Sequence, residues 1–157
     1  MSELARRGYN VAIPEVDVGD DILVFNDDTG EVTRIQVKTS IAKPGDKVQS
    51  YQFAVRESAV TVAQNPDPIF AFVLRRPRSG GVPGAEEWRF LLMRRDALAN
   101  YYTAGAIGTK REQDGEPYVQ ITFSEWEAGK HAGKVMAGPT TDLSQNLNDF
   151  SMFPPLA

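Results

Sequence analysis

The chain is built from short apolar runs cut by turn residues. Two of those runs, Ile22-Leu23-Val24-Phe25 and Arg34-Ile35-Gln36-Val37-Lys38, flank the polar turn Asp27-Asp28-Thr29-Gly30, which is a hairpin signal. If Asp28 and Thr29 form a two-residue loop, paired positions sum to 57 and Asp21 lies opposite Gln36; a longer or bulged loop shifts the pairing by a residue or two. Opposed residues have Cβ atoms about 5 Å apart, and the period of two puts Gln36 and Lys38 on one face of their strand. An acid, an amide and a lysine therefore converge at one end of a ribbon.

The other runs describe one α/β domain over residues 1–157. Leu4 to Tyr9 reads as the end of a helix stopped by Gly8, and Tyr9 to Ile13 as a strand halted by Pro14. After the turn Lys43-Pro44-Gly45-Asp46, Tyr51 to Arg56 alternates as a strand, and Glu57 to Gln64 fits a short helix. Ile69-Phe70-Ala71-Phe72-Val73-Leu74 is continuously apolar, as a buried central strand would be. Trp88 to Met93 and Tyr118 to Phe123 read as further strands, with a helix over Asp96 to Tyr102 between them. Leu143, Leu147 and Phe150 at helical spacing predict a final helix over Thr141 to Phe150 that packs on the sheet.

Composition narrows the chemistry. The chain has no cysteine, which removes disulfides, thiolate nucleophiles and Cys-based zinc sites, and a single histidine, His131, in the Gly-rich run Gly129-Lys130-His131-Ala132-Gly133. No apolar run is long enough to cross a bilayer and Met1 to Arg7 is polar, so a cytoplasmic protein is expected. The net charge of −4 argues mildly against non-specific polyanion binding. Its distribution is uneven, however: acids gather between Glu15 and Glu31, bases at Arg6-Arg7, Lys38, Lys43, Lys47 and Arg75-Arg76-Pro77-Arg78. A basic rim around an acidic pocket would suit a nuclease; a solubilised loop would explain Arg75 to Arg78 equally well.

The hairpin residues suit metal-assisted attack on a phosphodiester. Asp21 is a hard anionic ligand for magnesium, the Gln36 side-chain carbonyl a weaker neutral one, and the Val37 peptide carbonyl completes the protein's share. Lys38 carries a positive charge beside the metal and stabilises charge on the phosphoryl oxygens. Thr39 and Ser40 stand next to it as further hydrogen-bond donors. The alternative is a half-buried hairpin with an ordinary cross-strand ion pair.

The pattern Glu3-Leu4-Ala5-Arg6-Arg7-Gly8-Tyr9-Asn10-Val11, then Asp17-x-Gly19-x-Asp21, then Ile35-Gln36-Val37-Lys38-Thr39-Ser40 resembles the PD-(D/E)XK nucleases. Within them it is most similar to a small bacterial and phage branch related to Holliday-junction-resolvase-like nucleases. The resemblance covers about the first quarter of the chain and implies a restriction-endonuclease-like core, a central mixed β-sheet flanked by helices. By position it makes Asp21 the metal-binding aspartate, Gln36 the (D/E) position in its Gln variant, and Lys38 the lysine. It also implies Mg²⁺ (or Mn²⁺) as cofactor, DNA as partner, a possible homodimer with paired sites, and a supporting role for Gln52 in ordering the metal water. Family members carry a longer first helix with a glutamate about two turns before the Arg-Arg-Gly-Tyr segment, whereas Glu3 is already close to that segment.

Three functions follow: a metal-dependent DNA endonuclease; a catalytically inactive nuclease-fold module that binds nucleic acid or a protein; and a plain interaction subunit in which the hairpin is structural.

Overall fold

The computed structural model describes residues 1–15, 20–44, 47–77 and 86–153. Asp17, Gly45, Asp46 and Arg78 lie outside them. Helix α1 (Ser2–Arg6) is closed by Gly8, whose φ of +89° lets its own N–H reach Ala5 and that of Tyr9 reach Leu4. This double bond is the left-handed glycine stop that the sequence anticipates.

Three strands follow, β1 (Asn10–Ala12), β2 (Ile22–Phe25) and β3 (Val32–Ile41), each antiparallel to the last. The chain then passes through β4 (Lys43–Pro44), β5 (Val48–Arg56), helix α2 (Glu57–Thr61), β6 (Ile69–Pro77) and β7 (Glu86–Arg94). Helix α3 (Arg95–Thr103) leads to β8 (Thr109–Gln113), β9 (Glu116–Trp126), β10 (Val135–Ala137) and β11 (Thr141–Asp142).

These strands form two sheets. The first runs β1-β2-β3-β6-β7 and is mixed, because β3 and β6 are parallel. The second runs β11-β10-β9-β5-β4, with β8 also on β9, and is antiparallel. The stretch from β3 to β4 changes sheets at Ala42, whose N–H still reaches Arg75 of β6.

Alternation along β5 and β9 explains why they make a sheet face. Tyr51, Phe53 and Val55, with Val119, Ile121 and Phe123, point inward and meet Phe70, Phe72, Leu74, Leu91 and Met93 of the first sheet. Phe72 sits between Phe53 and Phe123, with ring centroids 5.0 and 5.1 Å away. Burying each such ring contributes about 1.5–3 kcal/mol before packing terms. The other face of the first sheet, Ile22, Val24, Ile35, Ile69, Ala71 and Leu92, is covered by Leu4 of α1 and by Phe153. The expected mixed sheet is present, but helices are minor and a second sheet covers one of its faces.

The C-terminal helix expected over Thr141 to Phe150 does not form. β11 is followed by 3-10 turns at Ser144–Asn146 and Phe150–Met152. Local side chains compete with helical bonding: Asp142 accepts the N–H of Ser144, Asp149 that of Ser151, and Asn148 has φ +55°. The segment still packs on the sheet, since Leu147 bridges Leu91 and the Asn148 N–H reaches Phe90 at 2.6 Å. Among the described residues no helix is long and apolar enough to cross a membrane.

Candidate functional site

The β2–β3 ladder pairs Ile22 with Ile35, Leu23 with Arg34, Val24 with Thr33 and Phe25 with Val32, so paired positions sum to 57. The loop is longer than two residues, yet it grows equally on both sides: Asn26 N–H donates to Glu31, and Gly30 N–H to Asn26. The Asn26 side-chain oxygen accepts the N–H groups of Asp28 and Thr29, and Gly30 takes φ +73°. The expected register therefore holds from Phe25–Val32 to Ile22–Ile35, but it stops there: the Asp21 N–H bonds to Ile35, so the direct opposition of Asp21 and Gln36 does not continue the ladder.

Asp21 stands one residue before β2 and departs from its register. Its N–H donates to Ile35 at 2.9 Å, and its Oδ2 accepts the N–H of Val37 at 2.6 Å. In an extended strand the N–H and C=O of one residue point to the same side. The Val37 carbonyl therefore points toward Asp21, on the side where β2 has ended.

Gln36 pairs with Phe70 and Lys38 with Phe72 across the parallel ladder, so both side chains lie on the sheet face that turns toward the second sheet. Lys38 is half-buried and has no hydrogen-bond or ion-pair partner among the described residues. A lysine in that state keeps its donors available to a ligand.

Arg34, one pleat before Gln36 on this face, organises the neighbouring wall. Its Nε meets Asp20 at 2.6 Å, and its other nitrogens reach the Pro66 carbonyl and the Gln64 side chain at 3.0 and 2.8 Å. A groove of about 340 Å³ opens between β3 and α2, lined by Asp20, Arg34, Gln36, Arg56, Ser58 and Gln64 among others. Among the described residues the single acid of this lining, Asp20, is neutralised by Arg34, and Arg56 adds an exposed positive charge. Arg34 shares the parity of Gln36 and Lys38, so the period of two could have found it. Nothing in the local sequence marks Arg56.

Other expected site residues lie apart. Glu3 is paired with Arg7 at 2.9 Å and lines a small apolar cavity on the opposite sheet face. Thr39 shares that opposite face and is exposed. Ser40 is on the Lys38 side, but its Oγ accepts the Gln52 N–H at 3.1 Å. The Gln52 side-chain oxygen in turn accepts from Lys43 Nζ at 2.9 Å. The basic rim is largely neutralised: Arg75 pairs with Glu86, Arg76 with Glu127, and Arg6 and Arg7 with Glu3. His131 lies in the loop after β9, its ring 5.6 Å from that of Trp126.

No family model matches the chain, and no curated protein matches it. The donor set itself bears on metal binding. Asp21 has one carboxylate oxygen left after Val37, and Gln36 and Val37 add neutral oxygens. That set fits a hard divalent ion only if water and phosphate oxygens fill its other positions. Among the described residues no three His, Cys, Asp or Glu side chains converge as a metal cage.

Proposed function

We propose that this chain is a metal-dependent DNA nuclease that hydrolyses phosphodiester bonds, with the restriction-endonuclease-like core and the site of the PD-(D/E)XK proteins it resembles. The observation that carries this reading is the end of the β2–β3 ladder. Asp21 anchors its carboxylate on the Val37 N–H beside Gln36, and Lys38, without a partner among the described residues, follows on the face of Gln36. The mixed sheet supports it, because β3 pairs with β6 from Ile35 to Ile41 and so fixes the directions of Gln36, Val37 and Lys38.

Magnesium or manganese, when bound, supplies an electrophile for the phosphoryl oxygen and a more acidic water. The chain's own groups divide the remaining work. Asp21 offers its second carboxylate oxygen, and Gln36 and Val37 offer carbonyl oxygens that orient ligands without adding charge. Lys38 stands where negative charge grows on the phosphoryl oxygens as the water oxygen bonds to phosphorus and a bridging oxygen leaves. Arg56 lines the groove beside Gln36 and would hold a neighbouring phosphate. Cutting both strands of a duplex would call for a homodimer or two successive events.

A second reading has its own observation. One Asp21 oxygen is already committed to Val37, and Gln36 replaces a second carboxylate. That favours a catalytically inactive nuclease-fold module that keeps the nucleic-acid groove.

Incubating the wild type, Asp21→Ala and Lys38→Ala with supercoiled and single-stranded DNA across magnesium and manganese concentrations separates the two. Metal-dependent nicking lost in both variants is the expected result. No cleavage in either metal by folded wild type, with DNA still bound, would leave the inactive module.

A further inference from the structure

The outer face of the second sheet carries a pattern of which the nuclease groove uses only Arg56. Odd positions of β5 and β9 fill the core, and Gln52, Ala54, Arg56, Tyr118, Gln120 and Thr122 face outward. The register sets Arg56 beside Tyr118 and Tyr118 beside Arg111, so β5, β9 and β8 present an Arg-Tyr-Arg row. With neighbouring strands about 4.8 Å apart, the row spans about 10 Å.

The two arginines stand out by their lack of partners. Arg6, Arg7, Arg34, Arg75, Arg76, Arg89 and Arg95 each meet a carboxylate, and Arg94 reaches the Met152 carbonyl. Arg56 and Arg111 are exposed and have no ion-pair or hydrogen-bond partner among the described residues. They flank the same tyrosine in a chain whose acids outnumber its bases. Glu116, two positions along β9 on that face, marks the outer limit of the row.

We propose that Arg56, Tyr118 and Arg111 form a platform for single-stranded nucleic acid. An unpaired base stacks on the ring of Tyr118, and the flanking guanidinium groups meet the adjoining phosphates. A duplex keeps its bases inside its own stack, so a flat sheet face with one aromatic ring favours a single strand. Arg56 also lines the groove that holds Arg34 and Gln36, and so leads the strand from the platform toward the ladder end. This last step rests on the nuclease reading; the platform itself does not.

The test is fluorescence anisotropy of a labelled oligo-dT of about 15 nucleotides, long enough for one to a few sites, and of a duplex of equal length. Calcium replaces magnesium, and salt is varied. The proteins are wild type, Arg56→Ala, Arg111→Ala, Tyr118→Ala and Tyr118→Phe, each checked for its folded circular-dichroism spectrum. The wild type is expected to prefer the single strand. Tyr118→Ala should weaken binding by about 5- to 150-fold, the range of one lost stack, while Tyr118→Phe keeps it. Each Arg→Ala change should reduce the slope of log affinity against log salt by about 0.7.

Platform variants that bind like wild type, or a wild type that prefers the duplex or binds neither, overturn the proposal. Magnesium-dependent cleavage is scored in parallel. Loss of binding in the platform variants with no cleavage by wild type would sink the nuclease reading and leave the platform standing.

Discussion

The carboxylate of Asp21 holds the main-chain N–H of Val37 at 2.6 Å, completing the ladder at the point where β2 has ended. The same side chain thus has a structural oxygen and a free one. Asp21→Asn keeps an acceptor for Val37 but loses the anionic donor, so stability should change by less than about 1 kcal/mol while any response to magnesium disappears. Asp21→Ala orphans the Val37 N–H and should cost about 1–2 kcal/mol. Urea unfolding with and without magnesium reads both effects; equal stability loss in the two variants would refute the assignment.

Asp20, the neighbour of Asp21, does different work. Its side chain is only 7% exposed and meets Arg34, which also ties down Gln64 and Pro66. Arg34→Ala leaves that acid uncompensated and should cost about 2–3 kcal/mol. Arg34→Lys should recover less than half, because an ammonium cannot reproduce the three directions of the guanidinium. A double-mutant cycle with Asp20→Asn should give coupling above about 1 kcal/mol, and additivity within error would count against the network.

Acid stability follows from paired carboxylates. The Arg95 guanidinium, then the Gln64 N–H, holds Asp67 below its ordinary 3.8. The Lys134 ammonium, then the Ser144 hydroxyl and N–H, holds Asp142 far below the usual carboxylate range. A depressed folded value means that the unfolded chain binds protons first as pH falls. Stability is therefore full above the ordinary carboxylate range and is lost progressively below about pH 4. Urea midpoints across that range should fall steeply for wild type and more gently for Asp67→Asn, which starts lower at neutral pH.

At the alkaline end, Tyr51 is fully buried and donates to Glu125 at 3.2 Å, while Arg89 pairs with the other oxygen of that acid. Burial raises its ionisation above the ordinary 10.0, an effect partly offset by Arg76 and Arg89. The unfolded chain then loses this proton first, so the contribution is full below pH 10 and is lost as pH rises through the raised value. Burial, then its hydrogen bond to Glu57, raises Tyr102 as well, so ultraviolet titration should show two lagging tyrosines, of which Tyr51→Phe removes one at a cost of about 1 kcal/mol at neutral pH. A wild type whose tyrosines all titrate together would contradict this placement.

Local rules made much of the hairpin legible. Alternation set its faces, and a loop that grows equally on both sides left the register from Ile22–Ile35 to Phe25–Val32 where a two-residue turn would have put it, although Asp21 itself bonds to Ile35 instead of opposing Gln36. Gly8 stopped α1, and the apolar run from Ile69 to Leu74 announced a buried strand, for equally local reasons. The last segment misled because Leu143, Leu147 and Phe150 have helical spacing, while the Asp142 and Asp149 side chains bond nearby N–H groups and Leu147 joins the edge of β7.

Sequence by itself determined which residues share a strand face and which strands are adjacent through a turn, because both depend on backbone geometry over a few residues. Only the tertiary structure decided that β5 and β9 cover the mixed sheet, that Arg34 closes a groove with α2, and that Arg56, Tyr118 and Arg111 stand in one row. Those contacts join segments far apart in the chain, and each competes with water and with other partners of like chemistry. Which one wins is settled when the whole core is buried, and no window of the sequence contains that information.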